Sequence, residues 1–221
     1  MFTSYRNPEN QSPAFVVHNV FAKEICNKII ETYKDQTDVA THVGKNEKIK
    51  TGNMRNSNVC FFNDPQTTAR IQTMIKVANH CTGWDFDITA TEQIQFTKYE
   101  SDQHYSWHFD GFGDNLAKRT FIFPSELSKN PGLRKTTDPN LIGTCRKISV
   151  SVLLNDDFSG GEFDTAWLDA DDGKLEVRKS TFKPKTGDMI IFPSHIPHRV
   201  RPVRVGTRYS LVVWAGGPAF K

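Results

Sequence analysis

His108 and Asp110 are separated by a single residue in SWHFD, and His198 stands far downstream in PSHIPHRV. Side chains two apart on an extended strand point the same way. His108 and Asp110 can therefore grip one ion together, with His198 supplied by a distant strand. Two imidazoles and one carboxylate on one side of a metal leave the opposite positions open, a donor set that suits non-haem Fe(II) in oxygen chemistry. Arg208, the first residue of RYSLVVW, adds a second element. A guanidinium among strand hydrophobes needs a partner, because burying it unpaired is costly. Its planar fork matches a carboxylate, at roughly 1.5–3 kcal/mol for such a charged hydrogen bond. That carboxylate is either a neighbouring Asp or Glu, or one end of a dicarboxylate cosubstrate whose other end chelates the metal.

Other histidines compete for the same role. His195 lies three residues before His198, but His198 opens the alternating run that leads to Arg208. His104 precedes His108, yet only His108 has a carboxylate two residues on. His104 and His195 are therefore expected at the surface or behind the ligands, and His18, His42 and His80 in structural positions. Upstream, QIQFTKYESDQHYSWHFD places Gln93, Gln95, Thr97 and Tyr99 on one strand face. A polar face of this kind lines a pocket or meets solvent at a sheet edge. The edge is the preferred reading for Gln93, Gln95 and Thr97, and a core aromatic is the plain alternative for Tyr99. By the same alternation Arg208, Ser210, Val212 and Trp214 share one face, and Tyr209, Leu211 and Val213 the other.

These residues need elements to position them. Ile25, Ile29 and Ile30, with Cys26 and Tyr33, predict an amphipathic helix near Lys23 to Tyr33. A second is predicted from about Pro65 to His80, with Asp64 as its cap, Pro65 in its first turn, and Ala69, Ile71, Met74, Ile75 and Ala78 as its apolar face. The polar stretch between them reads as loops and hairpin strands. After Trp84 short strand-like runs recur: QIQFTKY, HYSWHFD, KISVSVLL, STFKP, MIIFP, HRVRPV and RYSLVVW, with DDFSGGEF, KTGD and RVGTR as breaks. Many short strands with glycine turns predict a mainly β protein with supporting helices, and a site inside it favours a jelly-roll core of cupin type. The expected layout is one domain over 1–221, with helical support over about 1–83 and the β core over about 84–220. The segment 111–145 interrupts the strand rhythm with Lys118, Arg119, Lys129, Arg134 and Lys135 and three prolines. A connection this long is a lid over the site or a solvated excursion.

Composition sets the outer bounds. With 37% hydrophobic residues and 16 phenylalanines the chain is expected to fold, and a net charge of +3 argues no strong nucleic-acid or membrane partner. Cys26, Cys60, Cys81 and Cys145 are dispersed, without the spacing of a zinc site or a disulfide framework, which favours reduced thiols. No basic segment followed by an apolar run opens the sequence and no stretch reaches membrane-span length, so a soluble cytoplasmic protein is expected.

His108-x-Asp110, His198, Arg208 and Trp214, with TGDMIIFPSHIPHRVRPVRVGTRYSLVVW joining the last of them, resemble the Fe(II)- and 2-oxoglutarate-dependent dioxygenases. YESDQHYSWHFD and RKISVSVLLNDDFSGGEF resemble their prolyl 4-hydroxylase-like branch, and the similarity spans roughly Gln93 to Phe220. The resemblance implies a double-stranded β-helix in which His108, Asp110 and His198 bind Fe(II). It implies that Arg208 holds the distal carboxylate of 2-oxoglutarate with help from Tyr99, that O2 is the second cosubstrate, and that ascorbate acts as reductant. Tyr105 matches a pocket tyrosine, with a packed surface aromatic as the alternative. Trp214 matches a tryptophan near the substrate entrance, with core packing as the alternative. Arg55, in MRNSN, resembles an arginine near the peptide-binding loops of some members, beside the reading of a solvated loop charge. An arginine at 208 is similar to oxygen-sensing and bacterial members, where collagen-type enzymes use lysine. A bacterial or viral-type relative hydroxylating a peptidyl proline is the implied identity. Another peptide side chain, a free amino acid or a nucleobase is the alternative substrate, the last permitted by the basic 118–135 cluster. A non-catalytic cupin-like binding module is the alternative to an enzyme.

Overall fold

Residues 2–3, 13–40, 42–43, 48–49, 54–110, 119–121, 135–171 and 174–219 are described in the computed structural model. The elements that matter for the site are β1 (Phe15–Val17), α1 (Lys23–Tyr33), β2 (Asn58–Phe62), α2 (Pro65–Cys81), β3 (Ile94–Tyr99), β4 (His104–His108), β5 (Thr144–Leu153), β6 (Phe163–Asp171), β7 (Lys174–Phe182), β8 (Met189–Pro193), β9 (His198–Val200) and β10 (Arg208–Pro218).

Both helices form where the apolar spacing and caps place them. Asp64 accepts the Thr67 backbone N–H at 2.8 Å, with Pro65 opening α2. The buried stripes differ in one member each from expectation. On α1, Cys26, Ile29 and Ile30 are buried while Ile25 is 40% exposed, and on α2 Thr67 takes the buried place expected of Ala69.

Among the described residues, nine strands form one antiparallel sheet in the order Phe2–Thr3, β1, β8, β5, β10, β3, β2 and Asp38–Val39, with Ala90–Thr91 beside β10. A second antiparallel sheet runs β7, β6, β9, β4 and Arg55–Asn56. One face of the large sheet packs on the helices through Phe96, Ile148, Val150, Val152, Leu211 and Val213, joined by Ile71 and Ile75 of α2. Its other face meets the small sheet, with Tyr99, Ile190 and Phe192 against Phe163, Phe182 and Val200. Two facing antiparallel sheets with helices on the outside make the jelly-roll.

Two glycines fix turns that aim the strands. Gly187 in KTGD has φ +85°, and a Cβ there would lie 2.0 Å from the Phe21 carbonyl oxygen, so helix support and strand β8 meet only through glycine. Gly161 in DDFSGGEF has φ +63° and sits against the Arg208 side chain.

Four expectations need correction. Gln95 and Thr97 do not face solvent; both are buried on the inner face of β3, with Gln95 Nε2 donating to Thr97 Oγ1 at 2.8 Å. Gln93, outside the strand, is exposed as expected. Arg55 is not a loop charge but part of a strand paired with β4. The β6–β7 hairpin is longer than STFKP alone suggested, because Phe163–Asp171 pairs with all of Lys174–Phe182, including an outer half in which Leu168, Leu175 and Val177 are exposed. Arg119 is buried rather than part of a solvated basic cluster. Most of the 111–145 segment, residues 111–118 and 122–134, lies outside the described residues, and so does the choice between lid and excursion.

Candidate metal and cosubstrate site

Strand β4 ends at His108, and the Asp110 backbone N–H donates to the Ser194 carbonyl at 3.0 Å, anchoring the turn that follows. β9 opens with His198, which pairs directly with His108. One donor atom from each of His108, Asp110 and His198 lies within 4.8 Å of the others. The three predicted ligands thus converge, although more than half of the β core separates them in sequence.

The two rings are fixed by their own strands. His108 Nδ1 lies 2.8 Å from the Ser106 carbonyl and His198 Nδ1 2.9 Å from the Ile196 carbonyl. A carbonyl only accepts, so each Nδ1 carries the proton and donates it, which turns each Nε2 towards Asp110. The Nε2 atoms stand 3.8 Å and 3.4 Å from the Asp110 oxygens. That arrangement is favourable only with positive charge among the donors, either a proton on an imidazole or a metal ion held by all three. Burial, reinforced by the neighbouring His198, holds the His108 ring neutral and brings its pKa down to about 3. Burial opposes ionisation of Asp110, but His198 and His108 outweigh it and keep the carboxyl below its ordinary range. A neutral imidazole, a carboxylate and a second imidazole aimed at one point are the chemistry a ferrous ion requires, so the donor set fits.

An irregularity in strand pairing shapes this end of the site. Between Tyr105 and His108 the register of β4 against β9 slips by one residue. Without the slip, residues three apart would face opposite sides; with it Tyr105 and His108 share a face. Their rings stack at 3.4 Å between centroids, 10° from parallel, and the Arg55 guanidinium lies 4.7 Å from the centroid of the Tyr105 ring. Burial, the largest influence, raises the Tyr105 pKa above the ordinary range. Phe192 meets His198 edge-on at 4.6 Å and Phe163 flanks it at 5.6 Å, so the second ring is wedged by aromatic neighbours.

Arg208 begins β10, directly paired with Tyr99 on β3. It is 2% exposed, with Nη1 donating to Ser210 Oγ at 2.9 Å and its guanidinium 5.6 Å from the Tyr99 ring. Burial pulls its pKa below the ordinary arginine value. Among the described residues no Asp or Glu pairs with it, so the neighbouring-carboxylate alternative does not hold. A buried fork without a carboxylate of its own suits an acidic group delivered from outside.

Trp214, six residues on, is 8% exposed and lies under the Arg146 guanidinium at 3.8 Å. Arg146 escaped the sequence reading. Alternation along KISVSVLL would set it beside Ile148, Val150 and Val152 on the helix-facing side, but the β5–β10 register slips between Arg146 and Ile148 and turns it inward. Arg146 grips Glu92 with two bonds of 2.7 Å, and Arg119 donates to the same carboxylate at 2.5 Å. Burial works against ionisation of Glu92, yet the two guanidiniums hold its carboxyl below the ordinary range. An arginine inside an apolar strand run was the available signal for Arg146; Glu92 and Arg119 offered none.

Residues 94–216 match the model of the 2OG-Fe(II) oxygenase superfamily, more than half of the chain. The chain belongs to that superfamily, whose members are enzymes using Fe(II), 2-oxoglutarate and O2. It is 38% identical over 73 residues to human prolyl 3-hydroxylase 2, a stretch that is 32% of this chain and 10% of that protein. It is 28% identical over 120 residues to a PKHD-type hydroxylase of Janthinobacterium sp. (strain Marseille), 54% of this chain and 41% of that one. The chain thus spans less than half the length of these curated relatives. Among solved structures, a prolyl-4-hydroxylase of Pseudomonas putida shares the fold with a TM-score of 0.60 at 14% identity, over 92% of this chain and 91% of that one.

Proposed function

We propose that this chain is a hydroxylase acting on an amino-acid residue, best read as a peptidyl-prolyl 4-hydroxylase. His108, Asp110 and His198 are taken as the Fe(II) ligands, Arg208 and Tyr99 as the cosubstrate end of the pocket, and Tyr105, Trp214 and Arg55 as the substrate side. The observation that carries the reading is the buried Arg208 guanidinium, free of any Asp or Glu among the described residues, on the same interior side as three convergent metal donors. The proline assignment rests on the prolyl hydroxylases among the relatives and structural neighbours, an argument by analogy.

Bound together, iron and 2-oxoglutarate supply an oxidant made from O2, with succinate and CO2 as coproducts. The chain's own part is positional. The Ser106 and Ile196 carbonyls hold both rings in one tautomer, so no reorientation is needed when the ion arrives. Asp110, locked by its N–H to Ser194, supplies the negative charge that offsets the cation. Arg208 orients the cosubstrate by its distal carboxylate, and the Phe192, Phe163 and Val200 wall keeps water from the reacting side. Residues 1–221 are taken as one domain, and four free thiols accord with a reducing, cytoplasmic setting. Among the described residues no helix is long and apolar enough to cross a membrane.

The test is anaerobic titration with Fe(II) and 2-oxoglutarate, where a weak visible charge-transfer band is expected. Aerobic assays with ascorbate should then show succinate release coupled to oxygenation of a proline peptide. A His108→Ala or Asp110→Ala variant that still couples the two at the parent rate would show the ligand assignment wrong.

A further inference from the structure

The Glu92–Arg119–Arg146–Trp214 cluster is more cationic and less satisfied than a structural ion pair needs to be. Two guanidiniums share one carboxylate, leaving a net positive charge in a largely enclosed place. Arg119 is 7% exposed and spends Nη2 on Glu92, while its Nη1 is buried with no hydrogen-bond partner among the described residues. The indole Nε1 of Trp214 is also buried and, among the described residues, without a partner. The pieces are contiguous: the Glu92 backbone N–H donates to the Trp214 carbonyl at 2.8 Å, and Arg146 stacks on the Trp214 ring. They also adjoin the metal donors: the Asp110 backbone N–H donates to the Ser194 carbonyl at 3.0 Å, and the Ser194 N–H donates to the carbonyl of Lys147, the residue after Arg146, at 2.9 Å. A buried N–H left unsatisfied typically costs about 1–3 kcal/mol, so two in one cluster point to a ligand that completes them.

We propose that this cluster is a carboxylate subsite, and that the residue hydroxylated carries its own free carboxylate, as a free amino acid or at the C-terminus of a peptide. The inference rests on the hydroxylase reading above and narrows its substrate. A carboxylate satisfies both free N–H groups and the surplus positive charge at once, whereas the neutral carbonyl of an internal peptide bond leaves the charge uncompensated. Ferrous iron, Asp110, a dianionic cosubstrate and Arg208 together cancel, so among the described residues the charge on this cluster has no other counterpart in the filled site.

The experiment offers the enzyme, with Fe(II), 2-oxoglutarate and ascorbate, a pool of free amino acids and short peptides ending in free carboxylates. The same compounds as terminal amides form a second pool, and capped peptides with internal prolines a third. Products are read by mass as the gain of one oxygen. Hydroxylation in the first pool, with kcat/KM about tenfold or more above the matching amide, is expected on the scale of one charged hydrogen bond. Equal use of acid and amide, product only from capped peptides, or product from none of the pools would each overturn it. Succinate release without any amino acid tests the oxygenase reading separately, so the two can fail independently. Arg119→Gln is expected to bring the acid-to-amide ratio towards one. Trp214→Phe, which removes the indole N–H together with the five-membered ring and keeps a phenyl ring beneath Arg146, should lower the ratio several-fold; a ratio untouched in both variants sinks the proposal.

Discussion

The large sheet has two faces made from the same strands, and their chemistry is opposite. Facing the helices, β3, β5 and β10 present Phe96, Ile148, Val150, Val152, Leu211 and Val213, all buried and apolar. Facing the small sheet, the alternate positions are Gln95, Thr97, Ser149, Ser151, Arg208 and Ser210, equally buried but polar. The second face keeps its polar groups occupied internally where it can: Gln95 donates to Thr97, Ser149 and Ser194 pair at 2.9 Å, and Ser210 accepts from Arg208. The difference teaches that burial alone does not mark a core. One face is a source of stability, and the other is a lined chamber whose leftover donors wait for ligands.

That contrast can be broken by experiment. Asp110→Ala removes one of three donors and is expected to reduce succinate release more than about 100-fold, beyond the 10–100-fold typical of losing a partner behind the ligands. Its urea midpoint should change little. Leu211→Ala, on the helix side of the same sheet, should cost about 2–5 kcal/mol in chemical denaturation while leaving the KM for 2-oxoglutarate as it was. A raised KM in that variant, or unfolding of the first, would mean the two faces are not separable. Arg208→Gln tests the chamber more finely: the KM for 2-oxoglutarate should rise by a factor corresponding to roughly 1.5–3 kcal/mol, with kcat less affected.

Acid should act through the chamber rather than the apolar face. Because the folded-state pKa of His108 is brought down to about 3 from an ordinary 6.5, the unfolded chain binds a proton that the native site refuses. Stability should therefore fall as pH drops from about 6.5 towards 3, and the denaturation midpoint measured across that window should flatten in His108→Gln. The smallest effect is expected far from both faces: Asp64→Ala removes the α2 cap and should cost about 1 kcal/mol without altering turnover.

Much of this was legible in the chain. His108 and Asp110 stand two apart, His198 and Arg208 open strand runs, and alternation from Arg208 to Trp214 placed the inner and outer residues of β10 correctly. The helix limits followed from Asp64, Pro65 and the apolar spacing. The failures have a common cause. Gln95 and Thr97 look like solvent-facing residues because a buried polar lining and an exposed edge have the same period in sequence. Arg146 went unread, and the side on which Tyr105 meets His108 could not be read, because register slips at β4 and β5 reverse the parity of everything before them.

The sequence by itself determined the chemistry available: two imidazoles, a carboxylate and a guanidinium on strands with period two, and an apolar alternate set able to hold helices. Tertiary structure alone decided which side chains meet. A bulge is fixed by how a strand pairs with its neighbour, and the Glu92–Arg119–Arg146 clamp joins residues from distant segments. Neither leaves a local pattern, because pairing energy depends on the partner strand and not on the spacing within one.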